Sequence, residues 1–416
     1  MLDYLIAHGA NSNLADRNGM TTLMYAVGSD DHEDKDHAKR NDLLLKFMEK
    51  FLTFKPKVDF QQVSGDGFGE AAIHIAARFG GIDFVQLLLA NGADLNLIAL
   101  GHKGTPLHNA ATGKKVKMVT FLLSQGAKRE IQNGSGLTPL MISTIQCDPD
   151  SLLALIKGGA MINTRSSMNA LITPLVFAAS NNNPLDHKKY LTIMELLLDN
   201  QGDINFASTN GTTPLIAAAQ SSNLSQAYDK VKLLVNRGAD LNKVNNRKES
   251  ALMLATGMGN EKVVKWLIDK GADTQLKNGA GESVMRYSNR RGDLSIHELL
   301  ESKGVKAEGN ILKAKVVVGA LIGKWQGSQE GLAQSMVMTF VFTKNNTYAF
   351  VSKLKPEILK QFPTMNPIIA THKGSYTVDN DTLILYPNGI APVSMTWKMD
   401  NGVLVIDSKT RLKKVN

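Results

Sequence analysis

Gly104-Thr105-Pro106-Leu107-His108-Asn109-Ala110-Ala111 decides how this chain folds. Thr105 suits a helix N-cap, where its hydroxyl can take a backbone N–H of the first turn. Pro106 then falls at the first helical position, where a missing N–H costs nothing. Leu107, Ala110 and Ala111 stand at i, i+3 and i+4 and share one helical face. The alanines keep that face thin, so a neighbouring helix can approach closely.

The stretch has imperfect copies. Its leucine position recurs as Leu23, Ile73, Leu107, Leu140, Leu175, Leu215, Leu252 and Met285, with gaps of 50, 34, 33, 35, 40, 37 and 33 residues. A gap that returns to about 33 marks a stacked helix–turn–helix array. A second helix follows each copy, seen best in Ile82-Asp83-Phe84-Val85-Gln86-Leu87-Leu88-Leu89. Val85, Leu88 and Leu89 are its expected buried stripe. Asn91-Gly92-Ala93-Asp94 ends it, with Gly92 suited to the left-handed position past the helix end. The stop recurs at Gly9, Gly126, Gly159, Gly238 and Gly271, and is degraded at Gln201-Gly202-Asp203 and Gly304-Val305.

The Thr-Pro-Leu-His opening, the Leu-Leu-Leu helix and the Gly-Ala-Asp-Leu-Asn exit resemble the ankyrin repeats. The resemblance covers residues 1–305, as about eight repeats and an N-terminal half repeat at the ~33-residue period. It implies an all-α solenoid of helix pairs with β-hairpin fingers along one edge. It also implies a non-catalytic scaffold that binds another protein. In that family the histidine of the opening, here His74 and His108, is structural and bonds between adjacent hairpins. By position alone, the finger-tip candidates for partner binding are Asp66, Phe68, His102, Lys103, Asn133, Ser166, Met168, Asn210 and Arg247.

Three units carry insertions between their paired helices: residues 29–37, 181–190 and 221–225. Insertions at one place per repeat map to one edge of the stack. They read either as an added surface or as neutral loop growth. In the first, His32 and His37 stand among carboxylates, but no metal-ligand spacing is met. Met1 to Ala10 reads as a second helix without its first. Solenoids need a capping unit at each end, so the natural chain is expected to begin upstream.

Periodicity changes after Val305. Residues 306–319 read as a linker. From residue 320 to 416, short β-rich runs alternate with Asn/Asp/Gly turns, as at Lys344-Asn345-Asn346 and Asp400-Asn401-Gly402. This predicts a small antiparallel β-barrel, with one short helix over residues 356–362. Gly323-Lys324-Trp325, with Arg411 on the last strand, resembles the lipocalin-like pattern. That resemblance implies a Trp325 plug covered by Arg411, and a carrier or sensor of a small apolar ligand as the alternative function. Such a barrel either holds one ligand or fills with side chains. A degenerate repeat array joined to a short barrel also resembles bacterial architectures.

Composition narrows the classes. Hydrophobic residues make up 43% and charged residues 20%, as in a soluble globular protein. The net charge is +9, of which Val305–Asn416 carries +7. A basic surface that aids solubility is the plain reading. No Lys/Arg run is interleaved with aromatics, which speaks against nucleic acid. No apolar run reaches the ~18 residues of a membrane span. The single Cys147 excludes an intrachain disulfide, is compatible with the cytosol, and reads as a small core residue. No phosphate loop, metal spacing or nucleophile motif is present, so no cofactor and no catalytic residue is expected.

Overall fold

The computed structural model describes residues 3–4, 8–28, 37–63, 69–79, 81–168, 173–291 and 294–305, and eight strands between 323 and 415. The expected linker, the helix over 356–362 and the charged insertion of residues 29–36 lie outside the described residues. Two compact units are present, Met1–Asn246 and Arg247–Asn416.

In the first unit the motif copies open short helices, among them Ala72–Arg78, Pro106–Thr112, Pro139–Ile145, Pro174–Ser180 and Pro214–Ala219. Each packs on the next to form one row. The second helices, Ile82–Ala90, Val116–Ser124, Pro149–Lys157 and His187–Asp199, pack as another row. Leu107, Ala110 and Ala111 are buried as the spacing requires. Thr138, Thr173 and Thr213 cap their helices by accepting the N–H three residues on. The buried stripe of Ile82–Ala90 is Phe84, Val85 and Leu88. Leu89, expected in it, is only half-buried, because at 100° per residue it falls outside a stripe centred on Leu88.

The stops behave as glycine positions. Gly92, Gly126, Gly159 and Gly238 have φ of 88°, 87°, 82° and 85°. At the degraded stop Gln201 takes that slot itself, with φ 69°. Pro149 is the first residue of its helix, behind an Asp148 cap. Cys147 is buried, and it also holds a left-handed turn at φ 52°.

The fingers depart from expectation. Among the described residues of the repeats, β pairing amounts to two isolated bridges, Ala15–Thr21 and Lys277–Ser283. The fingers are too short to ladder internally, and they spend backbone groups on one another. The N–H of Leu100 meets the Gly69 carbonyl at 3.1 Å, that of Gly134 meets His102 at 2.8 Å, and that of Asn246 meets Asn210 at 2.8 Å.

In the second unit, Ala251–Met258 packs on Val284–Arg291, and Glu261–Asp269 on Leu294–Ser302. Trp266 is half-buried. The stripe is Val263, Val264 and Leu267, and the Lys270 ammonium lies 4.8 Å from the indole centroid. The strands are β1 (Gly323–Gln329), β2 (Met336–Phe342), β3 (Thr347–Leu354), β4 (Ile368–Asp379), β5 (Thr382–Pro387), β6 (Val393–Asp400), β7 (Val403–Ile406) and β8 (Thr410–Val415). Each pairs antiparallel with the next, and β8 pairs back onto β1.

Candidate functional site

The fingers of the first unit are locked together by a repeated rung. A side-chain oxygen from one finger accepts a backbone N–H of the next: Asn13 from Lys57 (2.6 Å), Asp59 from Asp94 (3.1 Å) and Asn96 from Lys128 (2.7 Å). Glu130 then takes Met161 (2.8 Å), Asn163 takes Asp203 (2.8 Å) and Asn205 takes Asp240 (3.0 Å). Two glutamines add a double clasp. Gln61 donates to the Ile98 carbonyl (2.9 Å) and accepts the Leu100 N–H (3.1 Å). Gln132 does the same with Arg165 (3.0 Å) and Ser167 (3.1 Å). A primary amide has a donor and an acceptor side by side, so it fits the carbonyl and N–H of alternate residues as a strand would.

Beneath the fingers two imidazoles join successive repeats. His108 Nδ1 accepts the Thr105 N–H (3.0 Å), and Nε2 donates to the Leu137 carbonyl of the next finger (3.0 Å). His74 repeats this with Ala71 (3.1 Å) and Leu97 (2.9 Å). Burial lowers both imidazoles to about 4, so they stand neutral at pH 7. With both nitrogens engaged, neither histidine is poised as a general base, and the structural role implied by the resemblance fits the geometry.

Glu70 is a carboxylate buried at the finger base. Arg78 pairs with it, His102 Nε2 lies 2.9 Å away and the Asn109 amide 2.8 Å away. Burial pushes its carboxyl up, but the His102 hydrogen bond, the Arg78 charge and the Asn109 amide outweigh this and hold it below the ordinary range. His102 Nδ1 meanwhile accepts the Gly104 N–H (2.9 Å). The cluster is spent on finger geometry.

The candidate residues scatter along the row. Asp66 and Phe68 lie outside the described residues. His102 serves the Glu70 cluster, and Lys103 is exposed in a left-handed turn with φ 55°. Asn133 and Asn210 turn their side chains back onto their own finger backbones. Ser166 is not a tip residue: it is buried, and its hydroxyl donates to the Ser135 carbonyl of the preceding finger (3.1 Å). Met168 is 73% exposed. Arg247 is exposed in the second unit, where its carbonyl takes the Gly279 N–H (2.7 Å). The described candidates are spread over successive fingers. Position alone missed Leu14, Val63, Ile98, Leu100 and Met161, all exposed on the fingers. Apolar residues at finger positions were the available signal.

In the strands, register sets Trp325 opposite Lys414, and Arg411 opposite Ser328. Trp325 and Arg411 therefore fall on opposite faces of the ladder, because faces alternate along a strand. The expected Arg411 cover over Trp325 does not follow from this pairing. Gly323 is paired with Phe342.

One arrangement resembles a catalytic triad. Ser288 Oγ lies 3.3 Å from His297 Nδ1, and His297 Nε2 lies 3.3 Å from Glu301. Ser288 and His297 are 1% and 2% exposed, and the serine hydroxyl donates to the Met285 carbonyl (2.8 Å). Both side chains are buried, and the serine proton is committed to that carbonyl. Among the described residues no group of three His, Cys, Asp or Glu side chains could hold a metal ion, and no helix is long and apolar enough to cross a membrane.

Comparison with known proteins agrees with this geometry. The ankyrin repeats (three copies) family matches residues 36–133, 73–166 and 177–278, more than half of the chain. An ankyrin repeat protein of Fowlpox virus is 35% identical over 129 residues, covering 30% of this chain and 37% of that protein. The NF-kappa-B inhibitor cactus of Drosophila melanogaster is 29% identical over 153 residues, covering 36% and 28%. This chain thus spans well under half the length of these relatives. The solved ankyrin repeat domain of Bcl-3 aligns with TM-score 0.48 and 26% identity, over 56% of this chain and 99% of that domain. With the motif period, the helix pairs and the bridging histidines in place, the chain belongs to the ankyrin repeat family.

Proposed function

We propose that the protein is a non-catalytic scaffold that binds another protein through the finger row of its first unit. One observation carries this reading. Of twelve large hydrophobic side chains exposed among the described residues, seven sit on fingers: Leu14, Val63, Ile98, Leu100, Met161, Met168 and Val244. Exposed apolar groups that recur along one row of fingers offer a partner a repeated apolar surface. The Asn and Gln rungs hold their backbones in place before binding, which lowers the ordering cost of association. A relative named as an inhibitor of NF-kappa-B is consistent with action on a protein. The test is crosslinking capture of protein partners by the full chain, compared with Ile98→Asp combined with Leu100→Asp. Both side chains are about half exposed, so the variant keeps its melting temperature. The reading expects the captured set to be lost; an unchanged set would refute it.

We further propose that residues 320–416, beyond a linker over 306–319, form a lipocalin-like barrel that carries a small apolar ligand. Supporting this, the pairing of β8 with β1 closes the ladder. Direct pairs also place Trp325, Phe340 and Phe350 in one row, which sets them on one face. Thermal shift of the full chain with a panel of fatty acids and retinoids is the test. A raised strand-unit transition is expected, and none with any ligand would leave a filled core.

A further inference from the structure

The insertions of the fifth and sixth repeats are built into one edge, on the opposite side of each helix pair from the fingers. Asn181 Oδ1 accepts the Asn183 N–H (2.9 Å), and Asn183 Oδ1 accepts the Leu185 N–H (3.1 Å). Asn183 Nδ2 donates to Asp186 (2.6 Å). Three ties reach the sixth repeat. Ser221 Oγ donates to Asn182 (2.5 Å), His187 Nε2 lies 2.9 Å from Asp229, and buried Lys230 donates to the carbonyls of Ala179 (3.2 Å) and Asn181. These contacts fix a single turn of 3-10 helix, Pro184–Asp186, with Leu185 at its tip. Leu185 is 91% exposed, more than any other large hydrophobic residue described.

Among the described residues, four exposed lysines mark this edge. Lys188 and Lys189 follow the tip, and both are exposed. Lys114 and Lys115 occupy the equivalent inter-helix turn of the third repeat, exposed as well. The Cys147 thiol lies 3.9 Å from the Asp186 carbonyl, which joins the fourth-repeat turn to the tip on one edge, and Lys189 and Lys114 bear electrostatically on the same thiol. Two of the carboxylates here are engaged: Asp186 by Asn183 and Lys189, and Asp229 by His187. Asp150 is exposed. Among the described residues none of Lys114, Lys115 and Lys188 has an ion-pair partner.

We propose that this edge docks on an anionic lipid surface, with Leu185 entering the headgroup layer and the lysines held over it. The chemistry favours lipid over a protein partner. Lysine is depleted and arginine enriched in protein interfaces, whereas a diffuse anionic surface attracts each lysine alike. A protruding leucine needs a matching pocket on a protein but none on a lipid layer. Apolar burial and electrostatic attraction to anionic lipid add, so a leucine and lysines on one edge bind more strongly than either alone. The site shares no residue with the finger row and does not depend on it.

The test is sedimentation of the full chain with vesicles of phosphatidylcholine alone, and with vesicles containing about 30% phosphatidylserine, in about 0.1 M salt. Leu185→Asp and the pair Lys188→Glu with Lys189→Glu are compared with the natural chain. The three side chains are exposed, so equal melting temperatures certify the fold. The proposal expects sedimentation with the anionic vesicles only, with partition falling about tenfold or more in each variant. Absence of sedimentation, or partition unchanged in Leu185→Asp, would overturn it. Binding to polyglutamate as strong as to vesicles and indifferent to Leu185→Asp would also overturn it, marking a general anion surface.

Discussion

At the scale of single residues, Gln201 shows how a repeat tolerates a misplaced letter. Its neighbours put glycine in the left-handed slot past the second helix; here the order is reversed, Gln201 before Gly202. Gln201 therefore carries φ 69°, a conformation that costs an L side chain energy. Gly202 is constrained too, since a Cβ there would lie 2.5 Å from the Leu197 carbonyl oxygen. Gln201→Gly should raise the stability of the first unit by about 0.5–1 kcal/mol, read from the urea midpoint at constant slope. Gly202→Ala alone should lower it, because backbone must move to admit the methyl. A loss with Gln201→Gly would mean that the glutamine side chain contributes a contact larger than its strain.

At the scale of elements, the helices were legible in the sequence and the finger lock was not. Leu107, Ala110 and Ala111 announce their face because helical spacing is local, within four residues. The rung from Asn96 to Lys128 joins residues 32 apart, and nothing near Asn96 says which N–H it will meet. The same holds for Ser166, whose partner Ser135 sits in the preceding finger; as a loop serine it reads as surface. Leu89 misled for another reason, since a period of 3.6 names a stripe but not its edges. Whether Arg411 can cover Trp325 turns on register, which a shift of one residue inverts and no local pattern announces. Now that the rungs are visible, their worth can be predicted. Asn96→Ala leaves the Lys128 N–H without its acceptor and should cost about 1 kcal/mol. The Lys128 amide should then exchange with solvent faster while amides of Pro139–Ile145 stay protected. Uniform deprotection of the first unit would instead show that the rung holds the whole stack rather than one finger.

At the scale of the whole molecule, the repeats of the first unit gain stability from each contact with a neighbour, and two of those contacts pass through a neutral imidazole. His74 and His108 sit at about 4 when folded, against about 6.5 when unfolded. Between those values the unfolded chain binds more protons than the folded one, so stability rises with pH across the window and falls on acidification. The loss is at most about 3 kcal/mol per histidine by pH 4. Glu70 acts in the same direction but lower: held below the ordinary carboxylate range, it loses its contribution only as pH falls through its folded value. Stability of the first unit should therefore decline from pH 6.5 toward 4, below the range in which Lys230, lowered to about 8 by burial, exchanges its proton. His108→Met separates the histidines, because the equivalent position holds methionine at Met141, where Thr138 caps the helix alone. That variant loses the Leu137 hydrogen bond, at about 1 kcal/mol near neutrality, and should keep roughly half of the acid slope. An unaltered slope would place the acid sensitivity elsewhere than in these bridging rings.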